Sequence, residues 1–196
     1  MKTIVAFDFD GTLTDRDTFI EFIKFSRGFG SFLLGFMRFL PLLVVMKMGF
    51  YPNWKAKQRV FAHFYRGMSV ERFDAFCRAF CQERLPMLLR PSMLRKIAEY
   101  TEQEYELCIV SASIDRWIRP WAQTVGFSGL FCTEVEVENG VLTGAFLTAN
   151  CYGQEKVNRL LARYPERKKY RLIAYGDSRG DRELLTFADE SYYRVR

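Results

Sequence analysis

Asp8-Phe9-Asp10-Gly11-Thr12 stands directly after the apolar run Ile4-Val5-Ala6-Phe7, and the reading of the whole chain grows from that junction. The run reads as a short buried strand, and Gly11 as the turn that leaves it. Carboxylates at the carboxyl end of a parallel strand sit where open α/β sheets bind their ligands. Two like charges this close are costly unless a cation or a proton neutralises one of them. A hard divalent metal with oxygen ligands, Mg²⁺ in the first instance, answers that cost and points to phosphoryl chemistry.

Further along, the chain supplies the other parts that phosphate transfer needs. Ile109-Val110-Ser111 ends a second apolar run on a hydroxyl. Lys156 follows Gly153 near the start of a helical pattern, and Leu172-Ile173-Ala174-Tyr175 leads into Gly176-Asp177-Ser178-Arg179-Gly180-Asp181. Singly, each has an ordinary reading: Ser111 as a strand-end or capping residue, Lys156 as a solvated lysine, Asp181 as a cap for the helix near Arg182. Asp8, Asp10 and Asp177 each follow an apolar strand, where a merely structural carboxylate is poorly placed.

This order of motifs resembles the haloacid dehalogenase superfamily of aspartate-nucleophile phosphatases, over nearly the whole chain. Residues 8–12 look like its first motif, Ser111 its second, Lys156 its third, and residues 176–181 its fourth. Val141-Leu142-Thr143-Gly144 and Gly153-Gln154-Glu155-Lys156 resemble the phosphoserine phosphatase branch. Asp17-Thr18-Phe19, Ser111-Ala112-Ser113 and Asn150-Cys151-Tyr152-Gly153 are most similar to bacterial phosphatidylglycerophosphatase C-type proteins.

The resemblance implies a role for each residue. Asp8 would attack phosphorus to form an aspartyl-phosphate, with Asp10 as general acid and then base. Mg²⁺ would be held by Asp8, the Asp10 backbone carbonyl and Asp177, with Asp181 beside the metal or positioning Lys156. Ser111 and Lys156 would bind and stabilise the phosphoryl group. Gly11, Thr12 and Ala112 would line the anion cradle, and Asp17 falls near an acid that holds the substrate amino group in phosphoserine phosphatases.

The 196 residues, 49% of them hydrophobic, suffice for one sizeable core and a smaller appendage. The apolar run before Asp8 is too short for a secretory signal, so a cytoplasmic location is expected. Cys77, Cys81, Cys108, Cys132 and Cys151 are irregularly spaced and read as buried thiols rather than zinc ligands or disulfides.

Strand and helix patterns alternate in two blocks. The expected fold is α/β: a Rossmann-like, mostly parallel sheet core from residues 1–14 and 86–196, with a helical cap over 15–85 inserted after the first strand. Pro86 and Pro91 mark the return to the core. Strands are expected at Lys2 to Phe7, Tyr105 to Val110, Leu130 to Thr133, Arg171 to Tyr175 and, as an edge, Ser191 to Val195. Helices are expected at Ile114 to Val125, Gln154 to Tyr164 and Arg182 to Phe187, and Asn139-Gly140 joins a β-hairpin through a primed turn. Ser69 marks a helix start inside the cap.

Between positions 20 and 60 seven basic residues face one acid, so this segment holds a net +6, the formal charge of the whole chain. Within it, 16 of the 23 residues from 29 to 51 are apolar or aromatic, more than one helix face requires. Arg38, Pro41 and Lys47 interrupt the stretch, so no uncharged run reaches the roughly 20 residues of a spanning helix. An apolar helix flanked by bases suits the plane of an anionic leaflet, which adds peripheral contact with the inner face of the membrane to the expected partners. The expected substrate is then a lipid headgroup phosphate such as phosphatidylglycerophosphate. The alternatives are packing of this stretch within the cap, together with a soluble phosphatase for a small metabolite such as phosphoserine, with Arg59 serving its carboxylate. A response-regulator receiver or a non-catalytic lipid-binding module is the reading from another class. No motif supports nucleic acid as a partner.

Overall fold

The computed structural model describes residues 1–195. A five-stranded sheet forms the centre, in the order β3-β2-β1-β6-β7 and parallel throughout. Its strands are β1 (Lys2–Phe7), β2 (Glu106–Ile114), β3 (Gly129–Thr133), β6 (Tyr170–Gly176) and β7 (Glu190–Tyr193). β1 reads as a continuous apolar run because both faces of the sheet are covered. Val5 and Phe7 pack into one core layer, Ile4 and Ala6 into the other. The first layer is shared with α5 (Pro91–Glu102), α6 (Arg119–Val125) and the cap, the second with α7 (Gln154–Arg163) and α8 (Arg182–Phe187).

The cap contains α1 (Thr18–Arg27), α2 (Phe29–Lys47), α3 (Asn53–Tyr65) and α4 (Val70–Glu83). Ser69 caps α4 as expected, accepting a hydrogen bond from the Arg72 N–H. The cap's interior is aromatic: Phe22 meets Phe73 and Phe80 edge-on, and it stacks on Trp117 of the core at 4.7 Å. The two crossings between core and cap lie side by side, since Thr14 pairs with Leu89 and the Arg90 N–H donates to the Leu13 carbonyl at 2.8 Å. The five cysteines are free and buried.

Several expectations shift. α5 was not foreseen; Pro91 opens it instead of only ending the cap, consistent with proline's fit to a first helical turn. β2 runs on past Ser111 to Ile114 through a register shift, so the helix expected at Ile114 begins only at Arg119. The hairpin of β4 (Val135–Glu138) and β5 (Val141–Phe146) turns at Asn139 and Gly140, both with positive φ, as a primed turn demands. It docks on the cap: the Gly67 N–H donates to the Leu142 carbonyl at 2.8 Å, and Phe61 packs on Phe146.

α2 runs unbroken for 19 residues, with Arg38 and Pro41 inside it. By length and composition it could cross a membrane, with a mean hydropathy of 1.9 and only 6% of its apolar stretch buried.

Candidate active site

The sheet order places the site. β1 is central, with β2 on one side and β6 on the other, so the chain leaves β1 where the order reverses. Asp8 follows β1, Ser111 sits in β2, and Asp177 follows β6, which brings residues distant in sequence to neighbouring strand ends. Lys156 reaches them from the first turn of α7. The Gly153 N–H donates to the Gly180 carbonyl at 2.9 Å and ties the loop before α7 to the loop after β6.

Asp8, Lys156 and Asp181 are all buried and form one ionic chain. Lys156 Nζ donates to Asp8 Oδ1 at 2.7 Å and to Asp181 Oδ1. Burial pushes the Asp8 carboxyl up to about 7, against the pull of Lys156. Burial also opposes the charge on Lys156, but Asp8 and Asp181 outweigh it and hold its pKa above the ordinary lysine value. Asp181 is buried too, yet Lys156 and Ser178 keep it below the usual carboxylate range. Its second oxygen accepts from the Ser178 N–H at 2.9 Å and the Ser178 hydroxyl at 2.7 Å. Asp181 therefore fastens Lys156 to the β6 loop.

Asp10 points to the cap. Thr18 donates to Asp10 Oδ1 from its N–H at 2.8 Å and its hydroxyl at 2.6 Å. Burial, and then the charge of Asp17, push Asp10 up to about 6, while Lys57 pulls the other way. Ser111 is buried and its Oγ accepts from the Ser113 N–H at 3.2 Å, so its hydroxyl hydrogen can still be donated. Thr12 lies 3.5 Å from Asp8 Oδ2.

Asp8, Asp177 and Asp181 each offer an oxygen within 4.8 Å of the others. Asp177 Oδ1 is buried without a hydrogen-bond partner. Gly11 has φ +85°, and a Cβ there would meet Asp177 Oδ2 at 2.3 Å, so only glycine lets the β1 loop approach this carboxylate. An all-oxygen donor set with an orphaned buried carboxylate oxygen fits a hard divalent cation. The Asp10 side chain stays with Thr18 and outside this cluster, so its share in such a site would be its backbone carbonyl.

Asp8, Asp10, Asp17, Ser111, Ala112 and Lys156 line one cavity of about 480 Å³. A family profile for haloacid dehalogenase-like hydrolases matches residues 5–186. The chain belongs to that family.

Protein CicA of Caulobacter vibrioides is 33% identical to the hydrolase over 193 residues, 98% of this chain and 86% of CicA. A Bordetella pertussis Tohama I protein of unknown function superposes with a TM-score of 0.83 at 18% identity, covering 97% of this chain and 89% of that one. A substrate-bound phosphoserine phosphatase gives 0.70 at 15% identity over 98% and 86% of the two chains. A phospho-aspartyl intermediate analogue of phosphoserine phosphatase gives 0.67 at 16% identity over 97% and 85%. At these identities the likeness is one of fold. The insertion after the first strand, with Asp8 directly after that strand, separates the hydrolase from a receiver.

Other parts of the cavity wall were not foreseen. Phe36, Leu43 and Met46 of α2 line it, as does Lys57 of α3, which donates to the Ala112 carbonyl at 2.9 Å. Arg59 is exposed, stacks on Tyr51 and is not among the lining residues. Asp17 caps α1, accepting from the Phe19 N–H at 2.8 Å. Thr18 lies eight residues after Asp10, a spacing that carries no local signal that the two will bond.

Proposed function

We propose that this hydrolase is a Mg²⁺-dependent phosphomonoesterase that works through an aspartyl-phosphate on Asp8, on a lipid headgroup phosphate such as that of phosphatidylglycerophosphate. The observation that carries the reading is the makeup of one cavity, which Asp8, Asp10, Ser111 and Lys156 line together with Phe36, Leu43 and Met46.

An Asp8 oxygen attacks phosphorus and the bond to the leaving oxygen breaks, while Asp10 gives that oxygen its proton. Thr18 occupies Asp10 Oδ1 and leaves Oδ2 for this exchange. Water then attacks phosphorus and returns a proton to Asp10, the bond to Asp8 breaks, and inorganic phosphate leaves. The Ser111 hydroxyl donates to a phosphoryl oxygen, and Lys156 offsets charge that builds in both steps. Mg²⁺ held by Asp8, Asp177 and the Asp10 carbonyl would neutralise phosphate charge and favour in-line attack.

The apolar wall suits glycerol and acyl carbons better than a free amino acid. The exposed strip of α2, with Leu33, Leu34, Met37, Leu40, Val44 and Val45, supports peripheral docking on an anionic leaflet at the inner face of the membrane. In-plane docking suits α2 better than spanning, because Gly35 packs tightly on Phe64 and other α2 residues wall the cavity.

Phosphoserine is the second reading, favoured by Asp17 on the cavity lining. Phosphate release with Mg²⁺ should be faster from phosphatidylglycerophosphate than from phosphoserine. The Asp8→Asn variant should fold and release none. Activity that survives this substitution would remove the nucleophile, and a preference for phosphoserine would remove the lipid.

A further inference from the structure

A second hollow, of about 570 Å³, lies where α1, α2 and α3 meet, apart from the catalytic cavity. Arg27, Ser31, Arg38 and His63 line it together with the exposed Leu34. Arg27 Nε is buried without a hydrogen-bond partner, and its guanidinium lies 5.1 Å over the Tyr65 ring. Among the described residues no carboxylate is within ion-pair distance of Arg27 or Arg38. Burial lowers the pKa of Arg27; Tyr65 raises it in part, and the charge of Arg72 lowers it further. A partly dried guanidinium among cations is costly, and a bound anion would relieve that cost.

The hollow and the catalytic cavity flank the same surface. At 3.6 residues per turn, Phe36 and Leu43 share one side of α2, and Ser31 and Arg38 lie round toward the opposite side. The exposed Leu33, Met37, Leu40 and Val44 fall between them. A bilayer under that strip would bring both openings to headgroup level.

We propose that the Arg27–Arg38–His63 hollow is a second anion site, which takes the headgroup phosphate of a bilayer lipid and fixes the orientation in which α2 docks. The proposal rests on the docked reading of α2 and adds a discrete phosphate site to it. Glutamine at Arg27 and Arg38 should weaken binding to phosphatidylcholine vesicles with about 30 mol% phosphatidylglycerol roughly tenfold more than glutamine at Lys47 and Lys55, which removes equal charge. Hydrolysis of soluble p-nitrophenyl phosphate should stay at the wild-type rate. Arg38→Gln alone, at an exposed position, serves if the double variant fails to fold.

His63 is the chain's only histidine, so its ring resonances report on the hollow without ambiguity. Dihexanoyl phosphatidylglycerol should shift them saturably in the wild type and not in Arg38→Gln. Equal vesicle losses from the two pairs, or His63 signals indifferent to the short-chain lipid, would overturn the proposal. A retained His63 shift without vesicle binding would remove membrane docking and leave the phosphate site standing.

Discussion

Gly11 and Asp177 show how narrowly the site is drawn at the scale of single residues. The positive φ of Gly11 turns the chain after Asp8, and its missing side chain leaves the space that Asp177 fills. Gly11→Ala is expected to cost about 1–3 kcal/mol in stability and to lower kcat about a hundredfold or more by displacing that carboxylate. Thermal melts and steady-state rates together check this. A variant with wild-type turnover would show that the close approach is incidental. Asp181 has a different task. Its oxygens are taken up by Lys156 and Ser178, so it acts by holding the lysine rather than by touching substrate.

Among the elements, α2 stands apart. Its hydrophobic residues serve three surfaces at once: the seam with α3, the wall of the catalytic cavity, and an exposed strip. Leu43 belongs to the wall. Leu43→Ser is expected to reduce kcat/KM for a long-chain lipid phosphate about tenfold, roughly the loss of one buried leucine side chain. Hydrolysis of glycerol phosphate should stay within about twofold. Parallel assays on the two substrates read the difference directly, and equal losses would mean that Leu43 only supports the fold. The hairpin makes a related point about elements, because it lies within the core segment of the sequence, between β3 and α7, yet bonds to α3 and the turn before α4.

Across the whole molecule, Glu21 links cap elements that the sequence keeps far apart. It is buried on α1 and accepts from Arg84, just past α4, at 2.6 Å and from Lys24 at 2.9 Å. Burial opposes its ionisation, but Arg84 and Lys24 outweigh burial and hold its carboxyl below the ordinary glutamate value. A depressed pKa contributes stability above the unfolded-state value, and that contribution is lost as pH falls through the folded value. Glu21→Gln should therefore destabilise by about 1–3 kcal/mol at neutral pH, with a gap from wild type that closes below about pH 4. Denaturant melts at both pH values test it; a gap that persists in acid would mean that shape, not charge, is what the glutamine disturbs.

The residues that do local work were legible without coordinates. Apolar runs ending in carboxylates or a hydroxyl marked β1, β2 and β6, and the Asn139-Gly140 pair marked the hairpin turn, because strand burial and turn geometry act over a few neighbouring residues. Asp8, Asp10, Ser111 and Asp177 stand at such junctions and Lys156 at a helix start after Gly153, and the fold gathers them around one cavity and its adjoining carboxylate cluster. Only the tertiary structure decided that Thr18 holds Asp10, that Asp181 fastens Lys156, and that Lys57 rather than Arg59 reaches the cavity. Those outcomes depend on which helices pack together, and packing energies sum over residues far apart in the chain, where no local pattern records the choice.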